Sequence, residues 1–236
     1  MSSLLNVKQF RYGGDNLGYL IYAQKDAVVI DGGAYREILD FMKIQKLNLL
    51  YVTNTHSHFD HTSGDIKLIN SPRVRFLKYQ DLMRDETIDL EDQKIDIYNT
   101  PGHTDDSVCF HVGNILISGD TLFNGTIGNC FTGDLREFYK SIRKLMSLPP
   151  ETIIYAGHDY VQDAMLFAQR IEPDTADIEE YLSKYDHRQV YSTLQDEFRV
   201  NPYMRFNDEK IITLLRKRGL PVENEWERWQ SLMTIE

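Results

Sequence analysis

The chain has 236 residues, 42 % of them hydrophobic and 26 % charged, which is enough to bury one sizeable core, or one core plus a small attached domain, and is unlike a disordered segment. A formal net charge of −10 and a pI near 5.2 argue against general attraction to nucleic acid or to an anionic membrane. No apolar stretch approaches the roughly 20 residues that cross a bilayer. The start, MSSLLNVKQFRYGGDN, has no basic segment followed by an apolar run, so no signal peptide is expected. Cys109 and Cys130 form no CxxC pair, which suits a reducing cytoplasm better than a disulfide framework.

Residues 16–22 and 26–33 are predicted strands, rich in β-branched and aromatic residues and bounded by Gly and Asp. The spacing of Ile38, Leu39, Phe41, Met42 and Ile44 predicts a helix over 34–46. A strand over 47–54 then delivers the chain into NTHSHFDHTSG (54–64). Strands follow over 73–77, 94–100 and 107–112, and Gly113-Asn114 predicts a hairpin turn into 115–120. Residues 134–148 read as an amphipathic helix stopped by Pro149-Pro150, and 152–158 as the last strand. Beyond about residue 160 the strand pattern gives way to helical segments. The expectation is a mixed α/β body carrying a helical C-terminal appendage.

Three of the seven histidines and an aspartate fall within six residues, His56, His58, Asp60 and His61. At i and i+2 of an extended chain, His56 and His58 point the same way and can reach one ion. Asp60 and His61 can face a second point as the chain turns. His103 in PGHT, Asp120 in SGDTLF and His158 in AGHDY also follow apolar strands, where sites are commonly assembled. A single strand-end histidine is ordinarily a hydrogen-bonded structural residue, but four such segments with the right residue types form a metal-ligand set. His111 and His187 share no such context. Imidazole and carboxylate ligands suit Zn, Fe or Mn, with Zn the first expectation. Seven ligands are too many for one tetrahedral ion and suit two divalent ions, with Asp120 as the bridging carboxylate.

THSHFDH, PGHT, GDTLF and AGHDY, in that order, resemble the metallo-β-lactamase superfamily and look most like its glyoxalase II (hydroxyacylglutathione hydrolase) branch. The likeness continues into the tail, where EFRVNPYMR is similar to that branch's Asn-Pro-Phe-(Leu/Met)-Arg signature. It implies an αββα sandwich of two mixed sheets flanked by helices over 1–168, and a C-terminal helical substrate-binding domain over 169–236. It implies that His56, His58 and His103 hold one metal and Asp60, His61 and His158 the second, with Asp120 bridging. The implied activity is thioester hydrolysis of an S-lactoylglutathione-like substrate to a hydroxy acid and a thiol, by a hydroxide between the two ions. Metals bring the pKa of bound water to around 7, Asp60 would help orient that nucleophile, and a thiol of pKa about 8.5 leaves without a general acid. A mononuclear-iron persulfide dioxygenase-like enzyme, a lactone or other ester hydrolase, and a non-catalytic metal-binding relative are the alternatives. The expected partner is a small-molecule thioester, glutathione-derived, with no nucleic acid and no membrane. A monomer or a homo-oligomer fits equally.

The resemblance is less complete on the substrate side. Tyr160 matches a family tyrosine that contacts glutathione. Asn129 and Phe131 stand where the family has a basic residue and an aromatic one, so the aromatic is kept and the charge is not. Arg228 matches the arginine of a C-terminal Arg-x-x-Lys pair, with Ser231 at the lysine position. The cluster Arg216-Lys217-Arg218 is an alternative source of positive charge, although such a run is more commonly a solvated helix face. Asn201, Pro202 and Arg205 are expected to be structural, Asn-Pro marking a turn.

Overall fold

The structure, a computed structural model, describes residues 5–69, 71–172 and 176–235. Two mixed sheets lie face to face. The first holds β1 (Asn6–Tyr12), β2 (Asn16–Tyr22), β3 (Asp26–Ile30), β4 (Asn48–Thr53) and β5 (Arg75–Phe76), side by side in chain order. Pairing is antiparallel for β1–β2–β3 and parallel for β3–β4–β5. The second runs β11-β10-β9-β8-β7-β6 and comprises β6 (Thr87–Leu90), β7 (Gln93–Asn99), β8 (Val108–Val112), β9 (Ile115–Gly119), β10 (Ile153–Ala156) and β11 (Ser192–Thr193). Within it only β9 and β10 are parallel.

The inner faces interdigitate. Leu17, Tyr19, Ile21, Val28 and Ile30 of the first sheet meet Ile95, Val108, Phe110, Ile117 and Tyr155 of the second. The outer face of the first sheet, with Leu20, Val29 and Val52, is covered by Ile38 and Met42 of α1 (Tyr35–Gln45). The alternation of these positions along β2 and β3, apolar on both faces, explains why those strands read as continuous hydrophobic runs. Cys109, Leu116 and Ile154 on the outer face of the second sheet are covered by Phe138, Ile142 and Leu145 of α5 (Leu135–Met146). The four layers are therefore helix, sheet, sheet, helix. Short helices α2 (Phe59–Thr62), α3 (Asp65–Leu68) and α4 (Tyr79–Asp85) lie on the connections between β4 and β6.

The chain past β10 forms α6 (Val161–Ile171), α7 (Ala176–Lys184), α8 (Leu194–Val200), a 3-10 turn at Pro202–Met204, α9 (Glu209–Lys217) and α10 (Glu225–Leu232). The expected boundary at residues 168 and 169 falls inside α6. Ile211, Leu215, Trp229 and Leu232 from this region share one core with Phe138 and Leu116 of the body. The strand pattern does not end near residue 160: β11 adds an edge strand to β10, between α7 and α8. β6 and β1 are likewise absent from the expected strands, and β1 is the longer of the two. Only Phe10 among its seven residues is buried, so it carries no apolar run to recognise.

Candidate metal centre

β3, β4, β9 and β10 all deliver their C-terminal ends to one edge of the sandwich. After β4 the chain turns through Thr55–His58 into α2, which puts His56, His58, Asp60 and His61 at the end of the first sheet. The second sheet supplies His103 from the β7–β8 loop, Asp120 directly after β9 and His158 two residues after β10. Gly157 makes this approach possible, since a Cβ at that position would overlap Asp120 Oδ1.

All seven sequence-predicted ligand residues come together. His58 Nδ1 lies 2.9 Å from His56 Nε2 and 3.1 Å from His103 Nε2. Asp120 Oδ2 is 3.9 Å from His56 Nε2 and 3.5 Å from His103 Nε2. On the other side, Asp60 Oδ2 is 3.5 Å from His61 Nε2 and 3.2 Å from His158 Nε2. Asp120 also faces this second group, with Oδ1 3.4 Å from His61 Nε2 and Oδ2 3.5 Å from His158 Nε2. Two ligand groups thus share one carboxylate. His56, His61, His103, Asp120 and His158 are buried, whereas the Asp60 side chain is 44 % exposed.

The far side of each ring fixes the character of the cluster. His103 Nδ1 donates to the Asn129 carbonyl at 2.9 Å, an acceptor only. His61 Nδ1 faces Asp31 Oδ2 at 3.0 Å and His158 Nδ1 faces Asp15 Oδ1 at 3.2 Å. With Nδ1 protonated, each Nε2 presents a lone pair to the centre. Three such nitrogens and two carboxylates therefore converge, and Asp120 Oδ1 is buried without a hydrogen-bond partner. Acceptors packed this closely repel unless a cation lies among them, so the residues fit divalent metal ions. The same outer partners set ring orientation and ligand basicity in metal sites.

Protons replace metals when the residues are left to themselves. Burial disfavours a charged His61, but Asp31 and Asp120 outweigh it and push its pKa up to about 11. His158 is also raised, Asp120 outweighing burial. Burial and neighbouring His61 push His56 down to about 4, and burial lowers His103. Burial alone would raise the Asp120 carboxyl, yet the His158 and His61 rings hold it well below the usual carboxylate range.

Several supporting residues were not anticipated from sequence. Asp31, fully buried at the end of β3, also accepts from Thr55 N (2.8 Å) and Thr55 Oγ1 (2.7 Å). Asn16 Nδ2 donates to Asp60 Oδ2 at 2.8 Å. The available signal was positional: Asp31 follows an apolar strand just as Asp120 does.

On the substrate side, Tyr160 stacks face to face on His158, with centroids 5.0 Å apart and planes at 4°. Phe131 is 65 % exposed and meets His58 and His103 edge-on at 5.6 and 5.1 Å. Asn129 has an exposed side chain and contributes its backbone carbonyl. Arg228 is not brought to the cluster: its guanidinium is held by Val222 O (3.0 Å) and Asn207 Oδ1 (2.6 Å). Ser231 is buried and donates to Pro221 O at 2.8 Å. Arg216, Lys217 and Arg218 are exposed at the C-terminal end of α9, and among the described residues no hydrogen bond or ion pair joins them to the cluster.

Two facing mixed sheets with a histidine and aspartate cluster at one edge define a metallo-β-lactamase-type sandwich. The metallo-beta-lactamase superfamily description matches residues 11–84 and 74–158, and the description "Hydroxyacylglutathione hydrolase C-terminus" matches 159–232. A hydroxyacylglutathione hydrolase of Pseudoalteromonas translucida is 30 % identical over 97 % of this chain and 96 % of its own length. The chain belongs to the hydroxyacylglutathione hydrolase family of that superfamily. Its fold is shared with the BLEG-1 B3 metallo-beta-lactamase (21 % identity, TM-score 0.64, covering 84 % of this chain and 99 % of that one). It is also shared with ETHE1 from Myxococcus xanthus (23 % identity, TM-score 0.61, covering 96 % and 99 %). No helix among the described residues is long and apolar enough to cross a membrane.

Proposed function

We propose that this chain is a dinuclear-metal thioester hydrolase that releases a hydroxy acid from a glutathione-type thiol. The observation that carries the reading is the convergence of acceptor atoms into two groups sharing Asp120. Its membership of a family whose relatives are named hydroxyacylglutathione hydrolases supports the substrate class. Zinc is the first expectation and iron or manganese the alternatives, because the donor set is imidazole and carboxylate without thiolate. Divalent cations held there supply a water of lowered pKa and a Lewis acid for the thioester carbonyl.

The chain's own residues do the remainder. His56, His58 and His103 form one ligand set, Asp60, His61 and His158 the other, and Asp120 spans both. Asp60, fixed by Asn16 yet reaching solvent, orients the attacking water. Tyr160 and Phe131 flank the cluster on opposite sides and present aromatic surface to the thiol carrier. The leaving group departs as a thiolate, which requires no proton donor near pH 7–8. The region from residue 169 onward is the substrate-side part of the molecule. Two free cysteines suit a reducing cytoplasm.

The test is turnover of S-lactoylglutathione by protein stripped with chelator and then reloaded with zinc, iron or manganese. Hydrolysis that appears on reloading, with close to two ions bound per chain, is expected. One ion per chain under metal-replete conditions, with no thioester hydrolysis, would refute the reading.

A further inference from the structure

Glu197 is fully buried, lies in the C-terminal region on α8, and takes no part in the chemistry above. Four donors surround its carboxylate. Gly125 N and Asn201 Nδ2 approach Oε2 at 2.8 and 2.9 Å, while Tyr181 Oη and Ser192 Oγ approach Oε1 at 2.9 and 2.7 Å. Burial raises this carboxyl to about 7 against the pull of those donors. A buried group with every lone pair occupied rigidifies whatever its donors belong to.

One donor belongs to the edge of the metal centre. Residues 121–128 form a small hairpin. Leu122 bridges Ile127, Phe123 N donates to Thr126 O at 3.0 Å, and Gly125 turns the tip with φ +93°. One foot of this hairpin is Asp120, and the other runs into Asn129, whose carbonyl holds His103. Phe123 on its flank packs against His158 and Tyr160, with centroids 6.0 and 5.0 Å away. The tip is anchored by Glu197 on Gly125 and by Asn124 Nδ2 on Ile154 O (3.1 Å) and Ser192 Oγ (2.7 Å). Ser192 itself donates to Glu197, so the Gly125 and Asn124–Ser192 anchors both lead to one carboxylate, while the bond from Asn124 to Ile154 O stands apart from it.

We propose that Glu197 is a positioning residue for the metal centre: by clasping the tip of the 121–128 hairpin it fixes Asp120 at one foot and the carbonyl that orients His103 at the other. The inference rests on the cluster being the metal site. It makes the helical region part of the catalytic geometry, not merely a cover for it. Removing the carboxylate leaves the Gly125 N–H without an acceptor and loosens the tip, which then keeps only the Asn124 contacts. Shortening it by one methylene prevents it from reaching Gly125 and Asn201 together. A glutamine can still accept from Gly125 through its carbonyl while its amide donates to the two hydroxyls, which rotate to suit.

The experiment compares Glu197→Ala, Glu197→Asp and Glu197→Gln with wild type by zinc competition titration well below each melting temperature, and by kcat and KM for S-lactoylglutathione at saturating zinc. Arg205→Ala, which breaks contacts to Glu172 and Asp208 within the helical region, controls for lost stability alone. In Ala and Asp variants the zinc Kd is expected to rise about tenfold or more, the scale for loss of groups that orient ligands. Their kcat should fall by a similar factor, with KM within about threefold, while the Gln and Arg205→Ala proteins bind zinc like wild type. Should the alanine protein fail to accumulate, the aspartate variant decides. Unchanged zinc affinity and kcat in a folded Asp or Ala variant overturns the proposal, as does an Arg205→Ala control that loses zinc equally. A wild type that binds no zinc refutes the metal reading itself, and the proposal falls with it.

Discussion

His61 Nδ1 lies 3.0 Å from Asp31 Oδ2, and both side chains are fully buried. Asp31 also holds the Thr55 hydroxyl and backbone N–H, so one carboxylate orients His61 and braces the turn that carries His56. Asn is the conservative probe, because it tolerates the left-handed backbone that Asp31 adopts at φ 53°. Asp31→Asn is expected to weaken metal binding by roughly 10–100-fold, most strongly at the Asp60, His61 and His158 group. Competition against a chromophoric chelator measures it, and unchanged affinity at both positions would remove Asp31 from the site.

Metal loading should displace protons, and the direction follows from His61. In stripped protein its pKa is about 11 against an ordinary 6.5. A raised folded pKa gives stabilisation that is complete below pH 6.5 and is lost as pH climbs toward 11. A ligating His61 must be neutral, so zinc added at pH 7.5 has to expel its proton. Lightly buffered titration should show at least one proton released per chain, and the melting-temperature gap between loaded and stripped protein should widen from pH 6.5 to 9. A His61→Ala protein that releases as many protons as wild type would contradict this.

Asp120→Asn keeps the volume of a residue that Gly157 leaves no room to enlarge but removes the charge shared by both ligand groups. Turnover should drop by two to three powers of ten, the scale for removing one group that stabilises developing charge, with near-UV circular dichroism preserved. Near-normal hydrolysis by this variant would sink the proposed mechanism.

The exposed Asn129 side chain brings no cation to the mouth of the site. A charge-assisted hydrogen bond to a glutathione carboxylate is worth about 1.5–3 kcal/mol, so Asn129→Lys should lower KM for S-lactoylglutathione about tenfold or more. An unaltered KM would mean that another residue already meets that carboxylate.

Arg228 ties α10 to Val222 and Asn207. Arg228→Ala should therefore cost about 1–2 kcal/mol of stability and leave KM unchanged. A rise in KM without a fall in melting temperature would return Arg228 to the substrate.

The candidate ligands were legible because each follows an apolar strand and each is a residue type with little reason to recur there otherwise. The sandwich was legible from β2, β3, β8 and β9, whose runs are apolar on both faces. β1, β6 and β11 were not, since an edge strand with one buried residue and strands of four and two residues carry too little apolar pattern to recognise. Asp31 and Asp15 look in sequence like ordinary turn residues, and only the fold brings them behind the histidines. The match of Arg228 to the arginine of a C-terminal Arg-x-x-Lys pair, with Ser231 at the lysine position, relied on spacing along α10. Spacing does not say which way a helix faces, and Ser231 turns out to be buried.

Each ligand group draws two members from the sheet built by residues 6–76 and two from the sheet built by 87–193, with Asp120 counted in both. The sheets exchange no strand. An ion in either group is thus a rivet through two plates, added to the few backbone hydrogen bonds that cross between the sheets at this edge: Leu17 N to Gly157 O (2.8 Å), Val108 N to Thr55 O (2.8 Å) and Asp159 N to Asp15 O (2.9 Å). Chelation then becomes a mechanical event as well as a chemical one: it withdraws a cross-link between the two sheets at the very edge that holds the site.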